Sequence, residues 1–175
     1  WLTLYAGVAS GADIILLPEI PYDINVVAEA IRKREKEGKR FSILAVAEGA
    51  ISKETAALEK KDRKKKLAES AYPSIAYEVG AEITRLTGQE VRVTVPGHMQ
   101  RGGSPCPYDR VLSTRLGAEA AELILKKDFG NLVVVQNDVL TKLPLKEIAG
   151  KLKTVDPASD IIEQARMVGI SFGDQ

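Results

Sequence analysis

Asp13 to Val46 reads DIILLPEIPYDINVVAEAIRKREKEGKRFSILAV, and the succession of patterns inside it decides the fold. Asp13 to Leu17 is a short continuous apolar run ending in Pro18, which predicts a buried strand. The small-residue stretch just upstream, Tyr5 to Gly11, predicts a helix stopped at Gly11. Beyond the Pro18-Glu19-Ile20-Pro21 loop, Asp23 is suited to cap a helix, and Ile24, Val27, Ala28 and Ile31 recur at helical spacing until Gly38. Phe41 to Val46 predicts a second buried strand. Strand, amphipathic helix and strand make a βαβ unit, and such units build parallel sheets whose ligand sites lie beyond the carboxyl ends of the strands. Glu48 falls just past the end of the second strand.

Working outward, Ser52 to Leu86 is mostly helical in pattern, broken at Pro73, with the basic run Lys60 to Lys66 on an expected solvated face. Glu90 to Val95 predicts a strand, because Val91, Val93 and Val95 alternate with Arg92 and Thr94. A loop rich in glycine and basic groups follows, Pro96-Gly97-His98-Met99-Gln100-Arg101-Gly102-Gly103-Ser104-Pro105. Tyr108 to Lys127 predicts a helix with Leu112, Leu116, Ala120, Leu123 and Ile124 on one side. Leu132 to Gln136 reads as another strand, and the tail carries short helical patterns at Leu145 to Lys151 and Ala158 to Met167. There is no tandem repeat or low-complexity linker. The fold expected is α/β, a Rossmann-like parallel sheet flanked by helices.

Composition narrows the function classes. At 175 residues and 45% hydrophobic, the chain has the size and apolar content of one globular domain, not of a collagen-like or disordered chain. Lys plus Arg number 25 against 24 Asp plus Glu, a formal charge of +1 that gives no global field to gather nucleic acid or an anionic membrane. The single cysteine, Cys106, excludes an internal disulfide and a multi-cysteine zinc site, and a cytoplasmic location is expected. The longest apolar runs fall far short of the roughly 20 residues that cross a bilayer. The opening at Trp1, without an initiator Met, leads us to expect part of something longer.

The densest chemical constellation is Arg92, His98 and Arg101 around a glycine-bearing loop. Guanidinium forks and an imidazole suit a phosphate, which accepts bidentate hydrogen bonds, and glycine lets the backbone approach it closely. Glu48 is the complementary candidate, a carboxylate able to accept hydrogen bonds from sugar hydroxyls; the alternative is a solvated loop glutamate. Asp13, Lys39 and Arg40 fall at the amino ends of the strands, opposite the Glu48 side, where a second anion site or ordinary helix-end solvation would each account for them. The lysine run has no interleaved aromatics, so nucleic-acid binding ranks low. Cys106 lacks a partner motif for nucleophilic work. Neither a Walker loop nor a Gly-x-Gly-x-x-Gly is present, so the chain has no nucleotide-phosphate cradle of its own.

The Pro96 to Pro105 motif, followed by Tyr108-Asp109-Arg110, resembles the C-terminal half of the 6-phosphofructokinases. The resemblance extends back through Arg92, Ala45-Val46-Ala47-Glu48-Gly49 and Gly11 to Glu19. It runs forward through Ser113-Thr114-Arg115-Leu116-Gly117-Ala118 and Val134-Val135-Gln136-Asn137. It implies the substrate-binding half of a two-domain enzyme that phosphorylates the 1-hydroxyl of fructose 6-phosphate in glycolysis, with the phosphoryl-donor domain and catalytic Asp absent and no catalytic residue among 1–175. Positions matching His98 and Arg101 hold the sugar phosphate, the one matching Arg92 reaches it from a neighbouring subunit, and the one matching Glu48 binds a sugar hydroxyl. The parent would use Mg2+ with ATP, or pyrophosphate in some branches, and assemble as a dimer or tetramer; no cofactor, nucleic acid or membrane partner is expected of this portion alone. The resemblance also implies an allosteric effector site at Asp13, Lys39 and Arg40, where Asp13 is the one candidate metal ligand, although Glu37 reverses the charge of one effector-binding lysine. The rival reading from another class is a non-catalytic sugar-phosphate or effector-binding module.

Overall fold

A computed structural model describes all 175 residues. In chain order the elements are α1 (Leu2–Ser10), β1 (Ile14–Leu16), α2 (Ile24–Lys36), β2 (Leu44–Val46), α3 (Lys53–Ala56), α4 (Lys60–Ala68) and α5 (Ile75–Thr87). They continue with a 3-10 turn (Gly97–Arg101), α6 (Pro107–Leu125), β3 (Asn131–Gln136), β4 (Val139–Pro144), α7 (Leu145–Ile148) and α8 (Asp160–Met167). Where length led us to expect one domain, the chain divides into two compact units, one of Trp1–Val95 with Thr154–Gln175 and one of Pro96–Lys153.

The first unit is built on β1, whose three residues are all 0% exposed. Alternation along a strand sends successive side chains to opposite faces. Ile15 and Leu17 therefore join Leu4, Ile162 and Phe172 on one side, while Ile14 and Leu16 join Val27, Ile31, Val79 and Ile83 on the other. A continuous apolar run is what a strand covered by helices on both faces requires. β1 and β2 pair in parallel, Ile14 with Leu44 through Leu16 with Val46, as the βαβ pattern requires. On β1's other edge Ser171 forms a parallel bridge to Ile14, so the returning tail extends the sheet. Gly7 lets α1 lie directly on β1: a Cβ there would meet Ile15 Cδ1 at 2.6 Å.

The helix ends follow local chemistry. Asp23 accepts a hydrogen bond from the Asn25 N–H and caps α2, and Gly11 closes α1 in the left-handed conformation. The helical stretch after Ser52 is interrupted between α4 and α5, where Pro73 lies. No residue of α4 is buried, so the lysine run does occupy a solvated face. Its single anchor is Arg63, whose Nη2 donates to the carbonyls of Ala56 and Leu58 at 2.6 and 3.2 Å.

Two strand expectations need correction. Phe41 to Ile43 is not part of β2; Phe41 is 70% exposed, and the Ile43 N–H donates to the Asp13 carboxylate instead. Glu90 to Val95 is not a strand, because it makes no backbone hydrogen bond to any neighbour. The alternation holds as facing for Val91 and Val93, which turn toward Gly80 of α5 while Arg92 and Thr94 are exposed, but not for Val95, which is 55% exposed. Periodicity fixes which side a residue faces, but a strand also needs a partner for its N–H and C=O groups.

In the second unit, α6 presents Leu112, Leu116, Ala120 and Leu123 as its more covered side, whereas Ile124 is 62% exposed rather than part of that face. The strand expected at Leu132 to Gln136 is β3, and it pairs antiparallel with β4, which was not foreseen. The turn between them is Asn137-Asp138, with φ of 50° and 62°. Two left-handed residues in a two-residue hairpin loop are the requirement of a type I′ turn, which Asn and Asp tolerate.

Candidate functional site

In the first unit, the carboxyl ends of β1 and β2 are closed by a turn at Ala47–Ala50. The Ala47 N–H donates to Leu16 O at 2.9 Å, and the Ala50 N–H returns to Ala47 O at 3.0 Å. Gly49 lies against Pro18, with room for a Cβ only at 3.1 Å from its Cγ. This packing fixes the turn that carries Glu48, whose side chain is exposed beyond the strand ends and makes no ion pair. Glu19, at the end of β1, is instead turned inward on its own chain: Oε1 accepts the Val155 N–H at 3.0 Å.

Arg92 pairs with Glu90 at 3.0 Å, and both side chains are largely in solvent, so water and salt weaken that contact. Arg92 and Arg40 line one open cleft of about 530 Å3 with an apolar floor that includes Leu44, Val46 and Ile83. The structure thus brings a residue of the expected phosphate site and one of the expected effector site to the walls of the same cleft. Lys39 and Arg40 are exposed and unpaired. Asp13 is already engaged: Arg34 lies 2.8 Å from one carboxylate oxygen and the Ile43 N–H 2.8 Å from the other.

In the second unit, His98 and Arg101 sit on the 3-10 turn, which is closed by Met99 N–H to Pro96 O and Gly102 N–H to Met99 O, both 3.1 Å. With three residues per turn, side chains at i and i+3 eclipse one another. His98 and Arg101 therefore leave the backbone on the same side. Both are exposed, and neither is paired within the chain. Gly97 starts the turn at φ 55°, a value that glycine adopts without steric cost.

The role of Asp109 and Arg110 was not legible beforehand. Asp109 accepts the Cys106 N–H at 3.1 Å, and Arg110 Nε donates to Pro105 O at 3.1 Å, so the start of α6 staples the loop that ends the motif. The available signal was an acid three residues past the helix cap, the spacing of a capping box. Cys106 is the cap residue itself and is exposed. No three His, Cys, Asp or Glu side chains gather where they could hold a metal ion. No helix is long and apolar enough to cross a membrane.

The first unit carries an exposed acid beyond the ends of its parallel strands, and the second carries an imidazole and a guanidinium on one 3-10 turn, groups whose chemistry suits hydroxyls and anions respectively. The sequence pattern of the phosphofructokinases matches residues 1–124. The ATP-dependent 6-phosphofructokinase of Spirochaeta thermophila is 49% identical over 174 residues, covering 99% of this chain and 48% of that protein. The enzyme of the same name from Chloroflexus aurantiacus is 44% identical over 175 residues, covering all of this chain and 47% of that one. Among solved structures, Pichia pastoris phosphofructokinase in the T-state matches with a TM-score of 0.62 at 32% identity, covering 84% of this chain and 16% of that one. The chain belongs to the phosphofructokinase family. It spans about half the length of the Spirochaeta and Chloroflexus enzymes.

Proposed function

We propose that these 175 residues are the fructose 6-phosphate-binding portion of an ATP-dependent 6-phosphofructokinase. In this reading His98 and Arg101 take the sugar phosphate, Glu48 accepts from a sugar hydroxyl, and Arg92 serves the phosphate of a neighbouring subunit in a homo-oligomer. What carries it is the 3-10 turn that sets His98 and Arg101 three residues apart, two exposed anion-binding side chains with no internal partner. The Spirochaeta and Chloroflexus relatives are named ATP-dependent, which favours ATP over pyrophosphate as donor.

Phosphoryl transfer is chiefly positioning and charge stabilisation. These side chains would fix the acceptor, holding its phosphate so that the 1-hydroxyl is presented in one orientation. We assign the donor site and the catalytic acid to family sequence outside these residues, and the enzyme to the cytoplasm. Asp13, Lys39 and Arg40 are the proposed effector contacts; an effector approaching Asp13 must displace Arg34, which already holds that carboxylate.

The test is steady-state kinetics of the full-length enzyme. Arg101→Ala should raise KM for fructose 6-phosphate at least about tenfold, the value of a lost charge-assisted hydrogen bond, with a smaller effect on KM for ATP. Unchanged KM for the sugar would remove Arg101 from the site.

A further inference from the structure

A second cavity, of about 450 Å3, lies within the first unit between α4 and the start of α5 and belongs to none of the residues assigned above. A volume of that order is usual for small-molecule sites. Its floor contains Tyr22, only 3% exposed, whose hydroxyl makes no hydrogen bond within the protein. The ring is held in place by its own backbone: the Tyr22 N–H donates to Ile51 O at 3.1 Å, and Tyr22 O accepts the Lys53 N–H at 2.7 Å. Burial, with Glu78 and Glu82 nearby, pushes the phenol up to about 12, so it is a neutral donor at physiological pH. Beside it Ser52 Oγ donates to Thr55 Oγ1 at 3.0 Å, and the pair keeps one hydroxyl hydrogen unspent. Thr55 is itself buried, at 6% exposure.

The charges on the walls are of both signs. Lys66 and Glu78 line this cavity and also an adjoining one of about 290 Å3, which shares Tyr22 and Ser52 with it. Neither Lys66 nor Glu78 is paired with another charged side chain. Asp62 is a second unpaired acid on the wall, whereas Lys65 reaches Glu69 at 4.0 Å. An inorganic anion would meet the acids, and a bare cation would meet Lys66. A molecule carrying both charges satisfies both walls, and the Tyr22 hydroxyl, which lines the cavity without a protein partner, supplies a donor for its carboxylate or a side-chain oxygen.

We infer that the cavity formed by Tyr22, Thr55, Lys66 and Glu78 binds a small zwitterion of the amino-acid class, its carboxylate toward Lys66 and its ammonium toward Glu78. The inference does not depend on the sugar-phosphate assignment, because none of these residues belongs to that site. It does have a route to it: Ala50 lines the cavity and is hydrogen-bonded into the turn that carries Glu48, so occupancy would bear on that turn.

Calorimetric titration of this 175-residue chain with L-serine, L-glutamate, L-lysine and L-phenylalanine at millimolar concentration tests it directly. Saturable binding is expected for at least one of them, reduced about tenfold or more when the same compound is N-acetylated or amidated at its carboxylate, since each change deletes one charge. Lys66→Met and Glu78→Gln should each abolish measurable binding, and Tyr22→Phe should weaken it about tenfold, with far-ultraviolet circular dichroism unchanged in the first two. No binding by any of the four overturns the inference. Equal binding of the acetylated form would make it a plain anion site, and equal binding of the amide a plain amine site; either result also overturns it. Binding that ignores Lys66→Met and Glu78→Gln places the ligand elsewhere. All of these readouts are independent of phosphoryl transfer.

Discussion

Arg34 holds Asp13 at 2.8 Å from the last turns of α2, across the head of β1, and with that contact one acid joins three segments. The other Asp13 oxygen takes the Ile43 N–H, and Arg34 Nε donates to Ser42 Oγ at 3.1 Å. The pair is well covered, with side-chain exposures of 15% for Asp13 and 27% for Arg34. Removing one partner of a covered pair leaves the other without compensation. Asp13→Ala should cost about 2–3 kcal/mol in urea unfolding of the chain, because it deletes both the ion pair and the acceptor for Ile43. Asp13→Asn, which keeps an acceptor, should cost about 1 kcal/mol. Equal losses for the two substitutions would mean that accepting the Ile43 N–H contributes nothing beyond the ion pair.

Gly7 gives a test of the helix–strand contact. Alanine in place of glycine ordinarily favours a helix by about 1 kcal/mol. Here the added carbon would lie 2.6 Å from Ile15 Cδ1 and 3.2 Å from the Ala45 Cβ, and Ile15 is fully buried with nowhere to retreat. Overpacking of this kind costs about 1–3 kcal/mol and should outweigh the propensity gain, so Gly7→Ala is expected to lower the denaturation midpoint. Ile15→Val in the same chain removes the clashing methyl and should restore part of the loss. A double-mutant cycle with no coupling would place α1 further from the strand.

These two contacts show what the sequence could and could not disclose. The run Asp13 to Leu17 and the spacing of Ile24, Val27, Ala28 and Ile31 state their facing directly, and the parallel pair of β1 and β2 followed from them. Glu48 was placed at the strand end for the same reason. What failed was whatever depended on a partner distant in sequence. Val91 and Val93 alternate with Arg92 as a strand would, yet no neighbour satisfies their backbone. Phe41 is apolar but is left outside, and although the Ile43 carbonyl accepts from Ile14 of β1, its N–H goes to the Asp13 carboxylate, so the ladder begins only at Leu44. The hairpin of β3 and β4 was legible in principle from Asn137-Asp138, two residues that accept positive φ between apolar runs. The His98 and Arg101 motif was legible as chemistry, but the shared direction of the two side chains required the 3-10 turn.

That shared direction can be tested without touching a charge. Gly97→Ala forces an alanine to φ 55°, a left-handed conformation that costs about 1–2 kcal/mol for a residue with a Cβ. The cheapest relief is to unwind the turn, which rotates His98 away from Arg101. In the full-length enzyme we expect KM for fructose 6-phosphate to rise several-fold, with global stability changed by no more than the local strain. A wild-type KM would show that the turn need not hold its conformation for the substrate to bind.

Tyr22 should leave a signature in the alkaline limb of the stability curve. Its phenol is pushed up from 10.0 to about 12, first by burial and then by the negative charges of Glu78 and Glu82. Above the unfolded value, the unfolded chain has released this proton and the folded chain still holds it. Proton release therefore favours unfolding, and stability falls as pH rises through the interval from 10.0 to about 12. The contribution is fully present below that interval. Across it the loss should approach about 2–3 kcal/mol, on the scale of about 1.4 kcal/mol for each pH unit of displacement. Tyr22→Phe has no proton to release and should flatten this limb, although the mutant loses nothing by way of internal hydrogen bonds because the hydroxyl makes none. Ultraviolet titration offers the parallel measurement: of the five tyrosines, one should ionise only near the upper end of the interval, and that late step should vanish in Tyr22→Phe. A limb as steep in the mutant as in the wild type would assign the alkaline loss to other groups.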